Sequence, residues 1–89
     1  MNMPELPELP GVQDRLVKPK EARQILGMPV STFGDKVRAE LIVPAERTMG
    51  GHRRFSFLYL LTIRARMLGV SAREALERMQ QAAAAPAAG

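Results

Sequence analysis

The chain has 89 residues, of which 46% are hydrophobic and 25% charged, and its formal net charge is +4, so we expect one domain with a modest core. The lack of cysteine excludes disulfides and thiolate metal sites, and the single histidine leads us to expect neither a metal nor a cofactor. No apolar run approaches the roughly 18 residues that a membrane span needs, and the N-terminus lacks the basic start of a signal peptide, so a cytoplasmic protein is expected.

The N-terminal segment, residues 1–15, is predicted to be an extended, acidic, proline-rich arm. Its first 14 residues repeat Pro-Glu-Leu and carry a net charge of −3, which leaves +7 for the rest of the chain. Because proline removes backbone donors and restricts the residue before it, we expect no helix here. A docked arm with Leu6 and Leu9 in a groove is the alternative. A basic body behind an acidic leader favours a polyanion as partner.

Residues 18–26 predict a first helix, since Pro19 suits a first-turn position and Gly27 is a typical helix end. Val30, in the short connection that follows, is expected in the core. Three apolar residues fall on one face of this helix at helical spacing, namely Ala22, Ile25 and Leu26.

A second helix is predicted from residue 32 to about residue 40, with Ser31 as its N-cap. Phe33 and Val37 lie four residues apart and would face the core. Two short helices joined by a tight turn form a helix-turn-helix, and its second helix would enter the major groove of DNA. An αα-hairpin without any ligand is the alternative interpretation.

Two residues of this second helix do not fit a simple DNA-binding interpretation. Gly34 costs about 1 kcal/mol relative to alanine in a helix interior, and its missing side chain either lets a partner backbone approach or produces a kink. Asp35 would repel phosphate. It either accepts a hydrogen bond from the amino group of cytosine or faces away and pairs with Lys36 or Arg38.

Gly50 and Gly51 predict a tight β-hairpin, because positive φ is costly for other residues. Residues 41–43 before it indicate a short strand closed by Pro44, and Phe55 ends the second arm and anchors it to the core. A solvated hairpin with incidental charge is the alternative. The far side of this β-wing would carry three side chains that suit a phosphate backbone, namely His52, Arg53 and Arg54.

A third helix is predicted after the hairpin, from Ser56 as N-cap to about residue 68. Its sequence is apolar nearly all round, which is more than one face of a small core needs. It is therefore either the central helix of the domain or in part an oligomer surface.

Ser71 followed by Glu74 forms a capping box for a fourth helix over residues 72 to about 81. The alanine-rich residues 81–89 have no apolar stripe with which to dock, so we expect a fraying, flexible tail. Three residues of the fourth helix are predicted to face inward, namely Ala75, Leu76 and Met79.

The order of these signals resembles the DNA-binding domain of the MerR-type winged-helix family and its small relatives among phage excisionases and developmental regulators. The resemblance covers residues 16–80 and rests on KPKEARQILGMPVSTF for the helix-turn-helix, ERTMGGHRRF for the wing and IRARMLGVSAREAL for the paired helices after it. It implies a mainly α fold with a small β-hairpin wing, that is, a winged helix-turn-helix with two further helices after the wing.

The chain departs from this family at several positions. The family often has an aromatic residue or arginine at the positions of Asp35 and Lys36, and usually glycine at that of Glu40. The third helix is shorter through an indel near residues 64–67. The family's long dimerisation helix and effector domain have no counterpart in the sequence, so we expect neither a MerR-type dimer nor a small-molecule effector.

The resemblance implies DNA contacts from three places. The first helix would contact the backbone through Lys18 and Lys20. The recognition helix would contribute Ser31, Thr32, Asp35, Lys36 and Arg38, and the wing would contribute Arg47, Thr48, His52, Arg53 and Arg54.

These observations predict a sequence-preferring double-stranded DNA-binding protein, either a transcription regulator or an excisionase-like factor, nucleoid-associated and encoded by a bacterium or phage. Because one small module contacts few phosphates, we expect cooperative head-to-tail self-association on DNA. The alternatives are a winged-helix adaptor for protein partners and a non-specific nucleoid-type binder of DNA or RNA. An enzyme is not expected, because no glycine-rich phosphate loop follows a strand and no paired carboxylates suggest a pocket.

Overall fold

The computed structural model describes residues 6, 7 and 9–84, with residues 83 and 84 as backbone only. The predictions for residues 1–5, 8 and 85–89 lie outside the described residues. Within the described range the chain is mainly helical, with a small antiparallel sheet in the order β1-β3-β2. The elements in chain order are β1 (Leu16–Val17), α1 (Pro19–Leu26), α2 (Val30–Arg38), β2 (Glu46–Arg47), β3 (Arg53–Ser56), α3 (Phe57–Leu68) and α4 (Ala72–Ala84).

Helix α3 is the centre of the core, which was the first of the two interpretations that its nearly continuous apolar sequence left open. Its first five residues are all buried, and so is Ala65 one turn later. The helix packs against α1 on one side and α4 on another, and it continues directly from β3. An apolar residue on almost any side of α3 therefore meets a neighbour, and of its large apolar side chains Met67, at 50%, is the most exposed.

Helix α1 follows its sequence pattern closely. It begins with Pro19 and ends at Gly27, which adopts a left-handed conformation with φ of 68°. The guanidinium of Arg64 donates from Nη1 to the Leu26 carbonyl at 3.1 Å, so a cation occupies the negative end of the helix. The predicted buried face is confirmed, since Ala22, Ile25 and Leu26 are all buried.

Helix α2 begins two residues before the predicted start. Pro29 is the N-cap, with φ of −62° and ψ of 156°, and its carbonyl accepts the first helical bond from Phe33 N at 3.0 Å. Proline suits this place because the helix needs no N–H there. Ser31 is therefore inside the first turn rather than a cap, and Val30, at 71% exposure, does not belong to the core.

The end of α2 adopts a left-handed cap. Glu40 has φ of 61°, the one positive φ of a non-glycine residue among those described. The N–H of Leu41 donates to the Lys36 carbonyl at 2.9 Å and that of Glu40 to the Val37 carbonyl at 3.1 Å. This is the pattern of a Schellman cap, in which the left-handed residue is usually glycine.

The first arm of the hairpin lies later in the chain than predicted. Residues 41 and 42 form a bend, and the strand that pairs with β3 is Glu46–Arg47. Residues 41–43 are instead tied to the core, because Ile42 is buried and the N–H of Val43 donates to the Tyr59 hydroxyl at 2.9 Å. Burial of Ile42 outweighs the strand tendency of the run.

The described part of the N-terminal segment is docked. Leu9 and Val12 pack against the core, so this part of the chain is not an extended arm. For Leu9 this matches the docked alternative, whereas Leu6 is 40% exposed. Asp14 accepts from Ser56 Oγ at 2.7 Å and from Leu58 N at 3.0 Å. These bonds satisfy donors at the start of α3 that would otherwise have no partner.

The connection between α3 and α4 follows the sequence prediction with one difference. Gly69 ends α3 with φ of 71°, and Ser71 Oγ accepts from Glu74 N at 3.1 Å. The Glu74 carboxylate pairs with Arg78 rather than completing the capping box. Helix α4 then extends to Ala84, beyond the predicted end near residue 81. Across the described residues, no helix combines the length and apolarity that crossing a membrane requires.

Candidate nucleic-acid interface

Strands β2 and β3 and the loop of residues 48–52 that joins them form a β-hairpin, which is called the hairpin below. Thr48 N donates to the His52 carbonyl at 2.8 Å, and Gly51 N donates back to the Thr48 carbonyl at 2.9 Å. Gly51 has φ of 80°, and a Cβ on Gly50 would stand 3.1 Å from His52 Cδ2. Positive φ, the reason given for both glycines from the sequence, therefore applies to Gly51 alone. A side chain at position 50 would only require the exposed His52 ring to shift slightly.

The two arginines of β3 lie on opposite faces of the hairpin. Side chains alternate along a strand, so Arg53 shares a face with Phe55, whose ring packs edge-on against Phe33 of α2 with centroids 5.3 Å apart. Arg54 lies on the other face and donates from Nη1 to the Arg53 carbonyl at 3.0 Å. The expectation that both arginines share the far side of the wing is therefore wrong, because the strand period separates neighbouring residues.

Arg53 is turned toward α2. It lines a small pocket of about 200 Å³ together with residues of α2, among them Val30, Gly34 and Val37. Pro19, at the start of α1, borders the same pocket, so the N-termini of both helices lie beside this face of the hairpin. Lys18 and Lys20 are exposed next to Pro19.

Arg47 and Arg53 are directly opposed in the register of β2 and β3, and we call this pair the arginine face. Arg47 is exposed and Arg53 half-buried. Like charges directly opposite each other destabilise a sheet pair. In addition, the buried Nε of Arg53 has no hydrogen-bond partner among the described residues, which is unusual for a buried donor. The arrangement is suited to an anion. On the other face, Arg54 is opposed by Glu46, so that side is closer to neutral.

The outer side of α2 is polar and accessible. Ser31, Thr32, Asp35 and Arg38 are exposed, and Lys36 is half-buried. Asp35 forms an ion pair with Arg38 on this surface, which was one of the alternatives left by the sequence. The candidate interface thus consists of the outer side of α2, the arginine face and the lysines at the start of α1.

Several polar and charged side chains that could in principle contact a ligand make contacts within the protein. Thr48 accepts from His52 N at 3.3 Å through its hydroxyl, so it shapes the loop. Arg64 is held at the end of α1. Arg15 pairs with Glu21 at 2.7 Å and lies 4.8 Å from the centre of the Phe57 ring. The charge available to a ligand is therefore concentrated on fewer residues than the sequence total suggests.

No group of three or more potential metal ligands comes together within the part of the chain that the structure describes. No protein-family model matches the chain, and no curated protein or solved structure matches it significantly. The resemblance to MerR-type domains therefore stays a prediction from the sequence motifs.

Proposed function

We propose that the chain is a sequence-preferring double-stranded DNA-binding protein of the winged helix-turn-helix type, acting as a transcription regulator or an excisionase-like factor. Helix α2 enters the major groove, and the hairpin lies along the adjacent phosphate backbone. The observation that carries the proposal is the arginine face, where two like charges oppose each other beside α2. A phosphate bound to the accessible nitrogens of this pair would offset the repulsion between the two charges.

The position of the arginine face relative to α2 supports the same conclusion. Phe33 and Phe55 fix the hairpin against α2 through their ring contact. Residues on the outer side of α2 are exposed, while Phe33 and Val37 are buried on the inner side. A duplex that receives the outer side of α2 would therefore meet a backbone-binding group on the adjoining element, as positioning contacts require.

The test compares two double variants with the same change in charge. Arg47→Ala with Arg53→Ala removes the arginine face. Arg66→Ala with Arg73→Ala removes two exposed arginines from α3 and α4. We expect the first variant to weaken binding to all duplexes and to reduce the slope of log affinity against log salt by about 1.8, at about 0.9 for each lost phosphate contact. Equal slopes for the two variants would show that the arginine face does not hold the backbone.

We further propose that copies assemble side by side on DNA. A single module of this size contacts few phosphates, so its own affinity should be low. Head-to-tail contacts between neighbouring copies would raise occupancy. A footprint that spreads with protein concentration is the expected result. A single protected segment that never extends would argue against assembly.

A protein-binding adaptor is a second candidate, favoured by a groove between the end of α2 and β2. It has a volume of about 460 Å³ and is lined by apolar Ile42, Val43 and Pro44, with Glu40, Glu46 and Arg47 as its charged residues. Two carboxylates beside an apolar floor suit a peptide better than DNA. Affinity for duplex DNA near physiological salt distinguishes the two candidates, and equal affinity for every duplex sequence would instead indicate a non-specific binder.

A further inference from the structure

The acid and the arginine on the outer side of α2 form one unit. Asp35 and Arg38 are ion-paired while both side chains remain accessible, at 71% and 69% exposure. No other hydrogen bond of the Arg38 side chain is formed within the described residues. The guanidinium therefore keeps donors that can reach a ligand in front of the helix.

The position of this guanidinium differs from what the residue number suggests. Arg38 is the last residue of α2, but helical side chains lean toward the N-terminus. A Cβ on Gly34 would stand 3.4 Å from Arg38 Nη1. The head of Arg38 thus lies beside the bare backbone of Gly34, about one turn closer to the N-terminal end of α2. The N-terminal end is the part of a recognition helix that contacts base edges in a helix-turn-helix.

The pairing decides which part of DNA this arginine suits. An arginine that holds phosphate gains nothing from a neighbouring carboxylate, because the carboxylate repels the phosphate. An arginine that reads a base gains a fixed orientation, and its planar fork matches the O6 and N7 acceptors of guanine. The near-neutral pair therefore favours discrimination between bases over general affinity.

We propose that Arg38 reads a guanine in the major groove and that Asp35 is a positioning residue that orients its guanidinium. This inference rests on the proposed DNA-binding function. It gives Asp35 a task that explains an acid on a DNA-facing surface. It also assigns sequence preference to α2 and backbone affinity to the arginine face.

The test is selection of bound duplexes from a random pool with the full chain, followed by affinity measurements on the selected site and on its single-base variants. Three variants are compared with the unmodified protein. Arg38→Lys keeps the charge and loses the fork, and Asp35→Ala removes the orienting carboxylate. Glu74→Ala is the matched control, because it removes the acid of the exposed Glu74–Arg78 pair on α4.

We expect a guanine position whose preference over other bases falls about five-fold or more in both Arg38→Lys and Asp35→Ala, and stays unchanged in Glu74→Ala. Asp35→Ala should also raise affinity for unrelated duplexes, because it removes a negative charge from the DNA-facing side of α2, whereas Glu74→Ala removes a charge from α4, outside the proposed interface, and should have little effect. A rise in affinity with unchanged base preference in Asp35→Ala would overturn the positioning role.

The failure of this inference is distinguishable from failure of the proposed function. If the chain binds duplexes with the expected salt dependence but Arg38→Lys leaves the selected motif unchanged, the reading role of Arg38 is wrong and DNA binding stands. If the unmodified chain binds no duplex, both are wrong. Thermal unfolding of each variant establishes that these exposed substitutions leave the fold intact.

Discussion

The left-handed residue at the end of α2 allows a sharp test of the fold. Glu40 has φ of 61° and is exposed, and it forms no ion pair within the described residues. A residue with a Cβ costs roughly 1–2 kcal/mol in this conformation. Glycine avoids that cost, but it makes the unfolded chain more flexible, which reduces the gain in stability by about 0.4–1 kcal/mol. We expect Glu40→Gly to stabilise the protein by about 0.5–1 kcal/mol.

Loss of the Glu40 charge is also expected to stabilise the protein, so this effect has to be separated from the conformational one. A carboxylate at the C-terminus of a helix is unfavourable by a few tenths of a kcal/mol, so any neutral residue at position 40 gains slightly. Glu40→Ala is the matched control, because it removes the charge but keeps the Cβ. The gain of Glu40→Gly over Glu40→Ala therefore excludes the charge effect and measures the left-handed strain of a residue with a Cβ, less the entropy of the more flexible unfolded chain of glycine.

Thermal and urea unfolding, followed by circular dichroism, provide the assay. For a domain of this size, about 0.5–1 kcal/mol corresponds to a rise in Tm of about 2–8 °C. The urea midpoint should rise with an unchanged slope. Should Glu40→Gly prove no more stable than Glu40→Ala, the left-handed cap of α2 and the reasoning built on it would be refuted.

Three further substitutions test other contacts. Asp14→Ala should lower stability by about 1–2 kcal/mol in urea unfolding, because the Ser56 hydroxyl and the Leu58 N–H at the start of α3 lose their acceptor; no loss would mean that the N-terminal segment is not docked. Tyr59→Phe leaves the Val43 N–H without its acceptor and should cost about 1–3 kcal/mol, and an unchanged Tm would contradict that bond. Gly34→Ala should raise stability by about 0.5–1 kcal/mol yet weaken binding to the selected duplex, and unimpaired binding would exclude a role for the bare backbone.

Much of the fold is predictable because it depends on local signals. Three features depend on residues close in sequence: the buried face of α1, the cap of α3 at Ser56, whose Oγ accepts from Tyr59 N at 3.1 Å, and the hairpin loop with its left-handed Gly51. The start of α2 was misplaced because Pro29 and Ser31 are both acceptable caps. The structure uses Pro29, whose carbonyl accepts from Phe33 N at 3.0 Å.

The remaining differences depend on contacts between distant residues. Asp14 and Ser56 are 42 positions apart, so nothing near either residue indicates that they meet. The sequence indicated which residues belong to the candidate interface, but not how they are arranged relative to one another. The face of Arg53 follows from alternation along β3 and the buried Phe55. That Arg47 is opposite Arg53 depends on the register of β2 with β3, which no local signal gives.

The most direct measurement of the central claim is a titration of isotope-labelled protein with the selected duplex, followed by amide chemical shifts. We predict that the shifts concentrate on the outer side of α2, on the hairpin and at the start of α1, and that they weaken with added salt. Shifts confined to the far end of α3 and to α4, or none at all, would contradict the account.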